Sequence, residues 1–420
     1  PPVRKPWYHL VSGVAVLTMT SIMVGGSADA GDSRSASRMA AASRSVVEDL
    51  ASSGNVVVLG ATGSQAYAVS DEADALARMS ASQLAGQRVI YSYSGLTPPA
   101  SLLDLISHGQ AAGVMFFGQN YRSRTQFSRA VQKLVAANAS PSNPANAFPL
   151  LLMTDQEGGI VRRLPGAPVS SEKAIGKIRP LSAAVTAARR AGTGAARNLR
   201  SFGLNVNLAP VLDVYRKAGD FDDRYGRSYS MRPVVVSALG KGFIAAQQRG
   251  HVAATAKHFP GLGAATATQN TDKRPVTIRL SRGTLQARDE YPYQAAIAVG
   301  VKLVMVSWAK YPAFDAKYPA GFSKAIVQGQ LRTRLGFGGI TITDAIGAHA
   351  LSSFGSIQNR AKLAAAAGMD LILAAGETPA EGVSCTQGMA TVYRRSSASA
   401  KAAFQATVMQ ILELRKSLPA

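Results

Sequence analysis

The sequence predicts an α/β fold, a (β/α)8 barrel forming a single catalytic domain over residues 81–420. Three observations predict it: short apolar runs recur, amphipathic stretches separate them, and polar residues cluster just after the runs. The runs lie at 88–92, 113–117, 150–154, 205–209, 252–256, 303–307, 340–343 and 370–374. Each is short, Leu-rich or β-branched and mostly apolar, the pattern of a strand buried on both faces. Between them, the segments at 122–137, 182–202, 233–248, 284–299 and 323–334 carry Ala, Leu, Arg and Gln at helical spacing. Eight strand–helix units of this size close into a barrel. An open doubly wound sheet is the competing architecture. No Gly-x-Gly-x-x-Gly follows an early strand, and Gly60-Ala-Thr-Gly63 is too short to act as one.

Residues 1–30 read as a secretory signal: Arg4 and Lys5 precede an apolar stretch from Leu10 to Val24, and Ala28-Asp-Ala30 fits a small-x-small cleavage site. The apolar stretch is shorter than the roughly 20 residues that span a bilayer. The expectation is a secreted or cell-wall-associated protein with no stable membrane anchor after cleavage. Residues 31–80 read as a linker or N-terminal extension, rich in Ser, Ala and Arg at first, with a candidate strand at 55–60 and helical character at 71–80. The tail ends in a helix-like stretch at 403–416. Cys385 is the sole cysteine, so neither an internal disulfide nor a cysteine metal cluster can form. Oligomeric state is not legible in the sequence.

At 47% hydrophobic residues the chain is not a disordered one, and its net charge of +22 attracts polyanions. The basic residues are scattered, and no basic motif is interleaved with aromatics, so nucleic acid is not an expected partner. An anionic cell wall is.

The chemistry lies at the strand ends. Thr255-Ala-Lys-His-Phe-Pro-Gly-Leu-Gly263 delivers a cation and an imidazole together where the backbone turns. Asp155 follows the third run, Asp213 the fourth, Ser307 and Trp308 the sixth, and Asp344 the seventh. In a barrel these ends share one face, where such groups can hold a hydroxyl-rich ligand. Each residue also has a plainer reading. Asp344 and Asp155 can cap helices, Arg227 can pair with Asp222 or Asp223, and His258 can be a satisfied core histidine.

Thr154-Asp-Gln-Glu-Gly-Gly159, Asn205-Val-Asn-Leu-Ala-Pro-Val-Leu-Asp-Val214, Gly226-Arg-Ser-Tyr229, Lys257-His-Phe-Pro-Gly-Leu-Gly263, Val304-Met-Val-Ser307 with Tyr311-Pro-Ala-Phe-Asp315, and Thr343-Asp-Ala-Ile-Gly347 occur in that order. Together they resemble the signatures of glycoside hydrolase family 3, in its single-barrel β-N-acetylhexosaminidase branch. The resemblance implies a retaining hydrolysis of a glycan, terminal β-linked N-acetylglucosamine in cell-wall peptidoglycan or related glycans, with Asp344 as the nucleophile. It implies that Asp155, Arg163, Arg227, Lys257 and His258 bind the non-reducing sugar. Glu157 and Asp213 themselves read as structural, holding loops and charges at the rim, and Gly158 and Gly159 as permitting a turn. A β-glucosidase or β-xylosidase on the same scaffold, or a wall-glycan-binding protein with impaired catalysis, are the other readings. Hydrolysis by carboxylates needs no cofactor, and no metal-ligand spacing occurs.

The sequence departs from that branch in one loop. The branch carries an Asp-Ser-His triplet after its Lys-His-Phe-Pro-Gly run, with the His as acid/base. This chain has Asn270-Thr-Asp272 there and no His in the loop, leaving Asp272 as the ionisable candidate for acid/base. Ile160 stands where relatives have Arg. Trp308 stands where a smaller or polar residue is common, either to stack on a sugar or to fill the rim.

Overall fold

The structure, a computed structural model, describes residues 70–419. The signal at 1–30 and the candidate strand at 55–60 lie outside the described residues. Ten strands are present among the described residues: β1 Val89–Ser92, β2 Gly113–Met115, β3 Leu151–Thr154, β4 Gln156–Gly158, β5 Val161–Arg162, β6 Val206–Asn207, β7 Ala253–Phe259, β8 Leu303–Val306, β9 Ile340–Ala345 and β10 Leu371–Leu373. Eight of them close into a parallel barrel in the order β1-β10-β9-β8-β7-β6-β3-β2, while β4 and β5 form a small antiparallel hairpin after β3. All eight sequence-predicted strands are barrel strands, so the (β/α)8 architecture stands.

The continuous apolar character of the strands has a direct cause. Alternate side chains point to opposite faces, and both faces are covered. Ile90, Leu151, Met153, Leu303, Met305, Ile340 and Ile342 fill the barrel interior, whereas Val89, Tyr91, Leu152, Val304 and Val306 face the surrounding helices. The helices start on clear signals. Ser123, Ser171, Ser356 and Ser397 each accept a hydrogen bond from a first-turn backbone N–H, and Pro233 and Pro379 occupy first-turn positions where no donor is lost.

β7 runs further than its sequence reading. Its register against β8 shifts between Ala256 and Phe259, and Phe259 still pairs with Val306. Lys257 and His258 therefore sit within the strand, not beyond it. The helices at 282–298 and 325–334 contain wider turns, in which the N–H groups of Glu290 and Leu335 reach five residues back, to Leu285 and Gln330.

The C-terminal helix Ala398–Lys416 closes the bottom of the barrel. Its Ile411 and Leu414, with Leu418 beyond, join the interior cluster. Arg415 is fully buried and donates to the carbonyls of Phe148 (2.7 Å) and Pro149 (2.8 Å), to Asn138 Oδ1 and to Gln87. The helix Asp71–Ala77 joins this end through Lys416, which pairs with Asp71 (3.0 Å) and Glu72 (2.9 Å). No helix among the described residues is long and apolar enough to cross a membrane.

Ile411 is fully buried and Val392 is 39% exposed on the preceding helix. Ile411→Ala is expected to destabilise the barrel by ~2–4 kcal/mol and Val392→Ala by less than about 0.5 kcal/mol. Urea unfolding of the two variants checks this; equal effects would mean that the helix does not plug the barrel.

Candidate active site

The candidate side chains converge on the C-terminal face because four barrel strands, β3, β6, β7 and β9, and their loops deliver them there. Asp155 follows β3, and the β4–β5 hairpin behind it carries Glu157 and Arg163. The hairpin turns at Gly158 and Gly159 (φ 115° and 61°), and a Cβ on Gly158 would lie 2.3 Å from the Ser170 carbonyl oxygen. Only glycine fits that turn.

Lys257 is the hub. Its Nζ lies 2.6 Å from Asp155 Oδ1 and 2.8 Å from Glu157 Oε1. Glu157 also takes a two-point contact from Arg227, at 2.9 Å from Nε and 2.8 Å from Nη2, and Arg227 Nη1 reaches Asp222 at 3.2 Å. The Arg163 backbone N–H donates to the Asp155 carbonyl at 3.2 Å, while its Nε lies 3.9 Å from Asp155 Oδ2 and has no hydrogen-bond partner. His258 sits on the next β7 position. Its Nδ1 lies 2.7 Å from Asp213 Oδ2, and Asp213 Oδ1 accepts the Leu262 N–H at 2.5 Å.

These contacts set the protonation states. Burial pushes the Lys257 pKa down, but the Asp155 and Glu157 charges outweigh it and the net shift is upward. For His258 the Asp213 charge and hydrogen bond likewise overcome burial, favouring imidazolium. Burial alone would raise Glu157; the Arg227 and Lys257 charges reverse this and hold it at about 2. Acids without enough cation nearby go the other way. Asp222 is pushed up to about 7 by burial and the Asp213 charge. Glu172 rises well above the carboxylate range through burial and the Glu157 charge, while its Oε1 accepts the Val211 N–H at 2.9 Å. Asp213, Asp222 and His258 place possible ligand atoms within 4.8 Å of one another, but the His258–Asp213 bond and the Arg227–Asp222 pair already engage all three residues.

The carboxyl pair lies beside this network. Asp344, half-buried at the end of β9, accepts the Ala345 N–H at 2.7 Å. Asp272 is held in the loop after β7. Its N–H donates to Asn270 Oδ1 (2.8 Å) and its carbonyl accepts from His349 N–H (3.0 Å), tying this loop to the one that follows Asp344. Asp272 has broad solvent exposure, yet enough protein surrounds its carboxyl to desolvate it. That burial and the Asp344 charge raise its pKa, with His258 and Arg227 opposing. All seven sequence-predicted residues thus occupy one face.

Trp308 resolves differently from a sugar platform. It is 1% exposed, packs against Phe322 and donates Nε1–H to the Ala345 carbonyl at 2.8 Å. It fills the rim and braces the strand end that carries Asp344. Sequence reasoning missed Glu172, which reads only as an acid in the first turn after the Ser171 cap; its burial beside Glu157 is a tertiary property. It weighed Asp222 only as one of two possible partners for Arg227, and the structure gives that contact to Asp222 alone.

A (β/α)8 barrel with buried ion pairs and two carboxyls on its C-terminal rim fits one class, a barrel glycoside hydrolase. Comparison places the chain more narrowly. The sequence profile of the glycosyl hydrolase family 3 N-terminal domain matches residues 80–414, and the chain belongs to that family. It is 44% identical over 336 residues to an uncharacterized secreted glycosyl hydrolase of Arthroderma benhamiae, covering 80% of this chain and 93% of that one. A beta-hexosaminidase of Xanthomonas axonopodis pv. citri is 32% identical over 312 residues, covering 71% and 87%. Among solved structures, a family 3 beta-N-acetylglucosaminidase from Paenibacillus sp. superposes with a TM-score of 0.73 at 29% identity, over 81% of this chain and 63% of its own longer chain. A beta-N-acetylhexosaminidase from Beutenbergia cavernae superposes at 0.72 and 27%, over 81% and 100%.

Glu157 gives a pH prediction. Its folded pKa is below the ordinary 4.5, so the stability it contributes is fully present above about pH 4.5 and is lost as pH falls toward about 2. Glu157→Gln should destabilise the fold at neutral pH by about 3–5 kcal/mol, because two buried cations lose their partner, and should flatten the acid limb of stability against pH. Urea unfolding from pH 7 to pH 2 reads both; an unchanged acid limb would show that Glu157 does not clamp the site.

Proposed function

We propose that this hydrolase is a secreted, retaining exo-β-N-acetylhexosaminidase that removes terminal β-linked N-acetylglucosamine from cell-wall peptidoglycan or related glycans. One observation carries the reading: a desolvated Asp272 under the influence of Asp344, beside cations and carboxylates suited to sugar hydroxyls. The choice of sugar is supported by the N-acetylhexosaminidases among its relatives. Export is supported by the leader-like pattern of residues 1–30 and by the secreted relative, and a cell-wall setting by the net charge of +22. In this reading residues 31–80 link the leader to the catalytic barrel.

The roles follow from charge and position. Asp155 accepts hydrogen bonds from hydroxyls of the terminal sugar, while Lys257, His258, Arg227 and Arg163 donate to its hydroxyls or N-acetyl group. A carboxylate oxygen of Asp344 attacks the anomeric carbon as the bond to the leaving oxygen breaks, and Asp272 gives that oxygen its proton. Water then attacks the anomeric carbon of the glycosyl ester, Asp272 takes the water's proton, and the Asp344 carboxylate is released.

Hydrolysis of a panel of aryl β-glycosides tests this. Release from the N-acetylglucosaminide, lowered at least about a thousandfold by Asp344→Asn, is expected. Asp272→Asn should lose far more activity on a natural glycan than on an aryl glycoside with a good leaving group. Because the acid form of Asp272 is required, kcat/KM should fall as pH rises through its elevated pKa, and Asp272→Asn should remove that basic limb. Release only from a glucoside or xyloside would assign those sugars instead, and retained sugar binding with no release would make the protein a glycan binder.

Trp308→Phe keeps an aromatic ring but loses the donor to the Ala345 carbonyl. One lost hydrogen bond of about 1 kcal/mol should lower kcat about fivefold with KM nearly unchanged. A rise in KM alone would place Trp308 in sugar contact.

A further inference from the structure

The high positive charge is unevenly placed, and its placement points to a partner. Three helices follow the adjacent barrel strands β2, β3 and β6: Arg124–Asn138, Leu181–Arg200 and Pro233–Arg249. They hold nine Lys and Arg residues and no Asp or Glu. The outward cations, among them Arg129, Arg189, Arg190, Lys241 and Arg249, are exposed and form no ion pair among the described residues. Elsewhere several cations are neutralised, as Arg332 pairs with Asp370, Arg334 with Glu290, Arg216 with Asp289 and Lys416 with Asp71, and the unpaired ones are not gathered on adjoining helices that lack acids. Nine unpaired or nearly unpaired charges on adjoining helices repel one another, a cost that an anionic partner would relieve.

The belt also has shape. The second and third helices leave an open groove of ≈ 240 Å³ between them, floored by Val185, Ala238, Gly242 and Ala245 and edged by Arg189, Lys241 and Arg249. The aromatic residues of these helices, Phe127 and Phe243, are fully buried, so there is no platform on which nucleic-acid bases can stack. The exposed apolar residues Val135, Leu181 and Val234 are spread over the three helices, which disfavours insertion into a bilayer. We infer that this face of the barrel wall binds a linear anionic polymer of the cell-wall kind through its repeating charges, holding the enzyme on a surface while the C-terminal face stays free to act. The binding itself does not depend on the glycosidase reading.

The test measures binding of the full chain to long-chain inorganic polyphosphate as a function of salt, with no turnover involved. The expected result is an affinity that falls steeply with salt. Arg189→Glu/Lys241→Glu/Arg249→Glu should weaken it more than tenfold and lower the slope of log K against log salt by about 2–3, as expected for three lost phosphate contacts. The same charge change at Lys324, Arg394 and Arg395, exposed cations on other helices, should cost far less. Circular dichroism confirms folding, and Arg189→Gln/Lys241→Gln/Arg249→Gln replaces the first variant if charge reversal unfolds the protein. Equal losses in the two sets, or none in the belt variant, overturn the proposal. So does tighter binding, at matched phosphate, to double-stranded DNA or phosphatidylglycerol vesicles, which would assign the face to nucleic acid or membrane.

Discussion

The pocket depends on one carboxylate. Glu157, 1% exposed, contacts both Lys257 and Arg227, and without it two cations would lie close together in a dry site. Bringing ions out of water costs several kcal/mol each, so such a pair persists only when a geometrically good counter-ion is fixed between them. The β4–β5 hairpin provides the fixing. Glu157 stands on its outgoing strand, and its glycine turn folds the chain back so that Arg163 returns to Asp155. The small hairpin, not the barrel strands alone, therefore decides where Lys257 and Arg227 stand.

From that balance the rest of the electrostatics follows. Lys257, Arg227 and His258 are matched by Asp155, Glu157 and Asp213 in direct contacts. Further acids in the same region find less compensation, and burial dominates. Asp222 and Glu172 are driven toward their neutral forms, and Asp272 is raised as well. The pattern reaches beyond the site. Ten Asp and Glu residues are buried among the described residues, against Arg88, Lys257, His258 and Arg415 for the basic groups. The fold uses its acids internally and leaves most of its basic residues on the surface, so the net charge is felt outside more strongly than composition alone suggests.

How much of this could be read beforehand differs by scale. The eight barrel strands were legible because burial on both faces forces an apolar run, as in Leu150-Leu-Leu-Met153 and Leu303-Val-Met-Val306. The shared location of Asp155, Lys257, His258 and Asp344 was legible because a parallel barrel puts every strand end on one face. The pairing within that face was less so. Glu157 was legible as structural, but not as the link between Lys257 and Arg227, because that link depends on a hairpin only a few residues long. Trp308 allowed two roles in sequence, and the choice turned on a contact with Ala345, 37 residues away. The reach of β7 to Phe259 escaped a reading based on apolar runs because Lys257 and His258 are polar, yet they lie in the strand, where their ion pairs make burial tolerable.

In the proposed mechanism a carboxyl stands in place of a histidine as acid/base, and that is workable only because of where its loop sits. An aspartate in water has a pKa of about 3.9 and would be a poor proton donor near neutrality. Here desolvation, and then the Asp344 charge, raise it. In the proposed mechanism the second contribution is not constant. Once Asp344 is esterified by the sugar its charge is gone, while His258 and Arg227 remain to favour the ionised form of Asp272. The carboxyl is thus biased toward its protonated form before the glycosyl-enzyme forms and toward its ionised form after it, which is the order of proton states that a two-step hydrolysis requires. A histidine would respond to the same lost charge in the same direction, but from a resting pKa near neutrality. The aspartate needs the desolvation supplied by its loop, and the hydrogen bonds from His349 and Ala350 that hold the loop against the end of β9 keep the carboxyl within reach of Asp344.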